Sequence, residues 1–148
     1  MQDINNYIKI NEKISTSGQP TAKQFEKIAE EGYEIVINLA VAHSEGKIEN
    51  EDDIVTSLGM NYVHIPVEFL EPTVKNLKDF VEMLSSFSNK KVWIHCIMNY
   101  RVSAFMYVYH KYILKTPFDN INLDVFEEWS PDEKWQEIMK TKPEELGL

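Results

Sequence analysis

The stretch VWIHCIMNYRVSAF, residues 92–105, carries the only cysteine of the chain, Cys96, with Arg101 five positions on and Ser103 seven positions on. A thiolate is a good nucleophile, and a planar guanidinium can grip two oxygens of an anion at once. Between them lie Ile97, Met98, Asn99 and Tyr100. If the segment is a tight turn leading into a helix, those four amides point inward and form an anion cradle, reinforced by the helix dipole. The same positive field favours the thiolate form of Cys96. Ser103 can donate a hydrogen bond to the sulfur or help a thiolate leave. His95 is read as an orienting residue for the loop. An arginine in the first turn of a helix opposes the dipole, and an anion at the site removes that conflict.

Such a loop needs a strand before it and a helix after it, and the chain supplies both. KVWIHC (91–96) is a short apolar run, and SAFMYVYHKYIL (103–114) is apolar on most faces, as a buried central helix should be. Upstream, YIKI (7–10) reads as an edge strand, followed by a turn-like STSG (15–18). Pro20 to Glu31 reads as a helix capped by Thr21 and ended by Gly32. YEIVINLA (33–40) and NYVHIPVEF (61–69) read as strands, the first buried. Between them, 42–59 is polar and then helical, with ENEDD (49–53) as a solvated helix start. EPTVKNLKDFVEMLSSF (71–87) is a helix with an apolar stripe of Val74, Leu77, Phe80, Val81 and Leu84. One or two shorter helices occupy 120–140, with Trp129 and Trp135 pinning them to the body. This alternation predicts one α/β domain over 1–148: a mainly parallel central sheet flanked by helices on both sides. Ligands of such sheets sit at the carboxyl ends of the strands, where Cys96 falls.

Bulk composition narrows the function further. A net charge of −9 argues against nucleic-acid backbones and anionic membranes as partners, while leaving room for a locally positive anion site. One cysteine requires no oxidising compartment, and no signal or membrane-spanning pattern is seen, so a cytoplasmic protein is expected. His43, His64 and His110 lack metal-ligand spacing, so a zinc site is not expected, and the thiolate chemistry of Cys96 requires neither a metal nor an organic cofactor.

HC, a short loop, R and a nearby serine resemble the active-site loop of cysteine-dependent phosphatases of the dual-specificity and tyrosine type. ISTSGQPT (14–21), YEIVINLA, HCIMNYRVSAFMYVY (95–109) and EEWSPDEKW (127–135) are similar to a bacterial group of small phosphatase-like domains, the beta-lactamase-hydrolase-like family. The likeness spans about residues 14–138 and implies a phosphotyrosine-phosphatase-like fold. It also implies a phosphorylated substrate, Cys96 as nucleophile and Arg101 with the amides of 97–100 as the phosphate site. Ser103 would aid the thiolate, and an acid would follow IPV.

Two departures matter. Dual-specificity and tyrosine phosphatases place five residues between cysteine and arginine, whereas four stand here, the spacing of many rhodanese-type sulfurtransferase loops. The loop also lacks glycine, and Asn99 is the one member that tolerates positive φ well. At the acid position stands Glu68, followed by Glu71, where the family has aspartate. The expectation is therefore a phosphatase acting through a phosphocysteine. The alternatives are a sulfurtransferase using a Cys96 persulfide, and a catalytically weak anion-binding module.

Overall fold

The computed structural model describes all 148 residues. Its centre is a five-stranded sheet in the order β1-β2-β5-β3-β4. The strands are β1 (Ile8–Lys9), β2 (Ile14–Ser17), β3 (Ile35–Asn38), β4 (Asn61–His64) and β5 (Val92–His95). Only β1 runs antiparallel, at one edge; the other four are parallel. The helices are α1 (Ala22–Glu30), α2 (Glu51–Ser57), α3 (Val74–Ser86), α4 (Tyr100–Tyr109), α5 (Val125–Glu128) and α6 (Glu133–Met139). The α/β reading with helices on both faces holds, and no helix is long and apolar enough to cross a membrane.

Alternation along the strands divides the core in two. Ile35, Ile37, Val92 and Ile94 face α3, α4 and α6 in the larger cluster, with Leu77, Phe80, Phe105 and Trp135. Val36 and Trp93 face the other way, against Phe25 and Ile28 of α1 and Val55 of α2. Thr21 caps α1 reciprocally with Gln24, and Thr73 caps α3. Helix α4 is buried along almost its whole length and widens into a π-helical turn at His110–Leu114. Trp135 donates to Phe69 O at 2.7 Å, and Trp129 stacks on Tyr100 at 5.1 Å, so the two tryptophans do pin the C-terminal helices.

One element departs from the sequence reading. STSG is not a turn: Ile14–Ser17 is a buried strand lying between β1 and β5. Its polarity conceals it, because hydroxyls replace the usual apolar pattern. Each hydroxyl has a buried partner. Ser15 bonds the Tyr33 hydroxyl at 2.6 Å, Thr16 Oγ1 accepts from Asn99 Nδ2 at 3.1 Å, and Ser17 Oγ accepts from Trp93 Nε1 at 2.8 Å. A satisfied hydroxyl is tolerated inside where an unsatisfied one is not.

The four parallel strands end level with one another. Ser17 and Asn38 both pair with His95, and Asn38 pairs with His64. The segments that continue from them therefore emerge on one face.

Replacing Ser17 with alanine leaves the buried Trp93 N–H without an acceptor, which costs on the order of 1–3 kcal/mol. Urea unfolding of the variant should show the midpoint falling with the m-value unchanged; an unmoved midpoint would contradict this account of β2.

Candidate active site

Cys96 follows β5 directly and is 1% exposed. The chain then turns through Ile97, Met98 and Asn99 into α4. Asn99 is the N-terminal boundary residue and adopts φ 68°, ψ 13°, the left-handed conformation. The loop has no glycine for this turn, and asparagine takes the place of one. Its side chain secures the turn as well: Nδ2 donates to Asn6 O at 2.8 Å and to Thr16 Oγ1, while Oδ1 accepts from Ser103 Oγ at 3.3 Å. In this arrangement Ser103 gives its proton to Asn99 Oδ1, so its first visible part is in holding the loop.

The direction of the loop amides follows from where the carbonyls go. Ile97 O accepts from Gln19 N at 2.9 Å and from Asn5 Nδ2 at 3.5 Å, and Met98 O accepts from Asn6 Nδ2 at 2.8 Å. With the carbonyls tied on the outside, the amides are turned the other way. None of the N–H groups of Ile97, Met98, Asn99, Tyr100 and Arg101 has a backbone acceptor. These are orphan donors at the start of a ten-residue helix, as an anion cradle requires. The SGQP segment acquires a purpose here. A Cβ on Gly18 would overlap Ile97 O, so only glycine lets Gln19 reach that carbonyl.

Arg101 is 7% exposed, and its Nη1 donates to Val67 O at 2.9 Å. The guanidinium carbon lies 5.7 Å from the centre of the Phe69 ring, within cation–π range. No carboxylate pairs with it: the ion pairs of the chain all involve other cations. A buried cation without a counter-charge is costly, and a bound anion supplies what is missing.

Behind the loop lies a second charged group that the sequence did not disclose. His95 is fully buried, its Nδ1 2.8 Å from Cys96 O and its Nε2 2.6 Å from Glu51 Oε2. Glu51 also accepts from Gln19 Nε2 at 2.6 Å. It lies within ENEDD, and the reading of that stretch as a solvated helix start is corrected for this residue, which is 7% exposed. The orienting role expected of His95 fits its place between the Cys96 carbonyl and Glu51. Burial pushes the Glu51 carboxyl up, but the hydrogen bond and charge of His95, with Gln19 and Tyr62, hold it below its ordinary value.

Cys96 opens into a depression of about 300 Å³. Phe69, Ile97, Met98 and Tyr100 form its apolar walls, Arg101 lies beside Cys96, and Ser44 with Glu45 closes the remaining side. Glu68 is exposed on the segment after β4 and is not among the residues of these walls. Glu71 is also exposed and is paired with Lys134 of α6. The structure thus brings together Cys96, Arg101, the four amides, Ser103 and His95, and it adds Asn5, Asn6, Gln19, Glu45 and Glu51. Among these, SGQP was the sequence signal; the asparagines of a polar N-terminus carry none.

The chain belongs to the family described as DSP-PTPase phosphatase fused to NAD+ kinase, whose model matches residues 3–138. It is thus a cysteine-dependent phosphatase-superfamily protein and a phosphatase-class hydrolase, in agreement with the likeness seen in its sequence. A DUF442 phosphatase candidate from Shewanella putrefaciens CN-32 is 30% identical, covering 94% of this chain and 91% of that one with a TM-score of 0.84. The core catalytic domain of the PP-IP phosphatase SIW14 from S. cerevisiae is 15% identical over 97% of this chain and 90% of that one, with a TM-score of 0.77. TpbA of P. aeruginosa is 11% identical over 96% and 88%, with a TM-score of 0.73. The last two likenesses concern the fold. No curated protein matches the chain.

Two outcomes test this description. Gly18→Ala should displace the Ile97 carbonyl and weaken inorganic phosphate binding, read by isothermal titration, while the chain stays folded by circular dichroism; undiminished binding would refute the anchoring role. The Glu51 carboxyl is held below its ordinary value when folded, so its contribution to stability is complete above that ordinary value and fades as the pH falls through the lower folded one. The gap in unfolding midpoint between wild type and Glu51→Gln should accordingly be widest near neutral pH and close in acid. A gap that is constant with pH would contradict it.

Proposed function

We propose that the chain hydrolyses phosphate monoesters through a phosphocysteine formed on Cys96. The single observation that carries this reading is the unpaired, buried Arg101 beside a buried thiol and a row of acceptor-free amides. The Cys96 thiolate attacks phosphorus; the S–P bond forms as the ester P–O bond breaks. Arg101 and the amides of Ile97, Met98, Asn99 and Tyr100 hold the non-bridging oxygens, where charge is greatest in the transition state. The leaving oxygen takes a proton from a carboxylic acid at the rim. Water, giving a proton back to that carboxylate, then attacks phosphorus, the S–P bond breaks, and Ser103 supports the departing thiolate. The sequence likeness points to Glu68 or Glu71 for this acid; Glu71 is engaged by Lys134, and both are exposed and absent from the walls around Cys96. The substrate is a phosphorylated small molecule or side chain.

The four-residue spacing to the arginine favours a second reading, sulfur transfer through a Cys96 persulfide. That chemistry needs no acid at the rim. Loss of turnover with retention of the cradle would give an anion-binding module.

Hydrolysis of p-nitrophenyl phosphate across pH 5–8 separates the three. Wild type should turn over, Cys96→Ser should abolish activity, and Arg101→Lys should lower kcat about 10²–10³-fold, as for loss of an oriented donor. Thiosulfate–cyanide sulfur transfer without phosphatase activity would establish the second reading. Phosphate binding without either reaction would establish the third.

A further inference from the structure

Ester cleavage through a phosphocysteine requires a proton donor within reach of the leaving oxygen, and the identity of that donor matters only if the phosphocysteine reading holds. Along Ile65–Glu68 the side chains alternate, with Ile65 and Val67 buried and Pro66 and Glu68 exposed. Phe69, next in the chain, turns its ring toward Arg101 and Tyr100, and Glu68 points to solvent. The segment that the sequence likeness designates for the acid thus presents an aromatic ring to the depression.

The one carboxylate on the walls around Cys96 belongs to Glu45, in the connection between β3 and α2. Three observations fix its place. Ser44 N donates to Val41 O at 3.1 Å, closing a turn just before it. Gly46, just after it, has φ 87°, and a Cβ there would lie 3.1 Å from Ile97 Cγ2, so this connection is seated directly against the cradle loop. Glycine is required at that contact both for its backbone and for its size. Lys47, the nearest cation in sequence, is drawn away by Glu49 at 3.0 Å, and Glu45 makes no ion pair. An unpaired carboxyl, open to water and sharing a wall with the nucleophile, is placed both to give a proton to a leaving oxygen and to take one from water.

We propose that Glu45 is the general acid and then the general base of this site. In the first step its carboxyl proton passes to the ester oxygen as the P–O bond breaks, and the alcohol leaves. In the second, its carboxylate takes a proton from the water that attacks phosphorus, and the thiolate and inorganic phosphate are released. Glu45 ends protonated as it began, and nothing is oxidised or reduced.

Leaving-group dependence provides the test. Glu45→Gln, Glu45→Asp, Glu68→Gln and Glu26→Gln are assayed with p-nitrophenyl phosphate, whose leaving group needs little help, and with phenyl phosphate, whose leaving group needs a proton. Glu45→Gln should lose about 10²–10⁴-fold on phenyl phosphate. With p-nitrophenyl phosphate it should lose less and should show a burst of p-nitrophenol, because the second step still lacks its base. The high-pH limb of the kcat/KM profile should disappear in Glu45→Gln and persist in Glu45→Asp. Glu26→Gln, a charge change on the exposed face of α1, should leave both substrates unaffected. The proposal is overturned if Glu45→Gln keeps the wild-type rate on phenyl phosphate, or if the leaving-group effect appears in Glu68→Gln instead. A wild type with no Cys96-dependent turnover overturns the phosphocysteine reading and this assignment together, and so is told apart from failure of Glu45 alone.

Discussion

Everything at this site depends on turning five residues of backbone so that the amides face one way. Without glycine in the loop, the conformation must be imposed from outside. The carbonyls of Ile97 and Met98 are drawn outward by Gln19, Asn5 and Asn6, and the turn ends in left-handed Asn99. A left-handed non-glycine residue carries a conformational cost, which the three hydrogen bonds of the Asn99 side chain offset. The N-terminal segment thereby holds the loop after Cys96, although it lies about ninety residues away in sequence.

Charge follows the same layout. A chain of net charge −9 keeps one arginine buried and without a counter-charge on the same depression as Cys96. Its other buried charge, Glu51, sits behind the loop, where His95 stands between it and the Cys96 carbonyl. Both ring nitrogens of His95 face oxygen acceptors, so the ring serves as a bridge whose orientation is fixed at each end. Glu51 also receives Gln19 Nε2, while the Gln19 backbone N–H holds Ile97 O. One residue of the SGQP segment therefore joins the charged layer to the cradle, and neither layer can shift without the other.

Local chemistry is more legible in this sequence than long-range contact. Cys96 at a strand end, Arg101 in the first helical turn and Asn99 at positive φ are all readable, since each depends on near neighbours and on residue type. β2 is not, because Ser15, Thr16 and Ser17 look like turn residues until Tyr33, Asn99 and Trp93 are brought to them. Glu51 and Glu45 escape notice for one shared reason. Both stand in acidic, polar stretches where a solvated carboxylate is the ordinary outcome, and only tertiary structure picks out the one that is buried and the one that reaches the nucleophile's wall. Glu68 stands out in the sequence because the family likeness points to an acid after IPV; the burial alternation that leaves it exposed depends on which face of the segment meets the core.

The short spacing between Cys96 and Arg101 is the feature that most invites a sulfurtransferase reading, and the walls around Cys96 weigh against it. A persulfide adds a single sulfur atom and requires little beyond the amides. The depression here is about 300 Å³, with Phe69 and Tyr100 on its walls, which is room for the organic part of an ester. Sulfur transfer has no use for a carboxylate on those walls, whereas ester cleavage requires a proton donor. Arg101, moreover, reaches Val67 O from its place one residue nearer the cysteine, so the shortened loop still brings the guanidinium to the segment after β4 and among the residues that line the cavity. One residue fewer in the loop thus leaves the cation at the site, and the residues that surround the thiol, more than the count that separates it from the arginine, define what it can do.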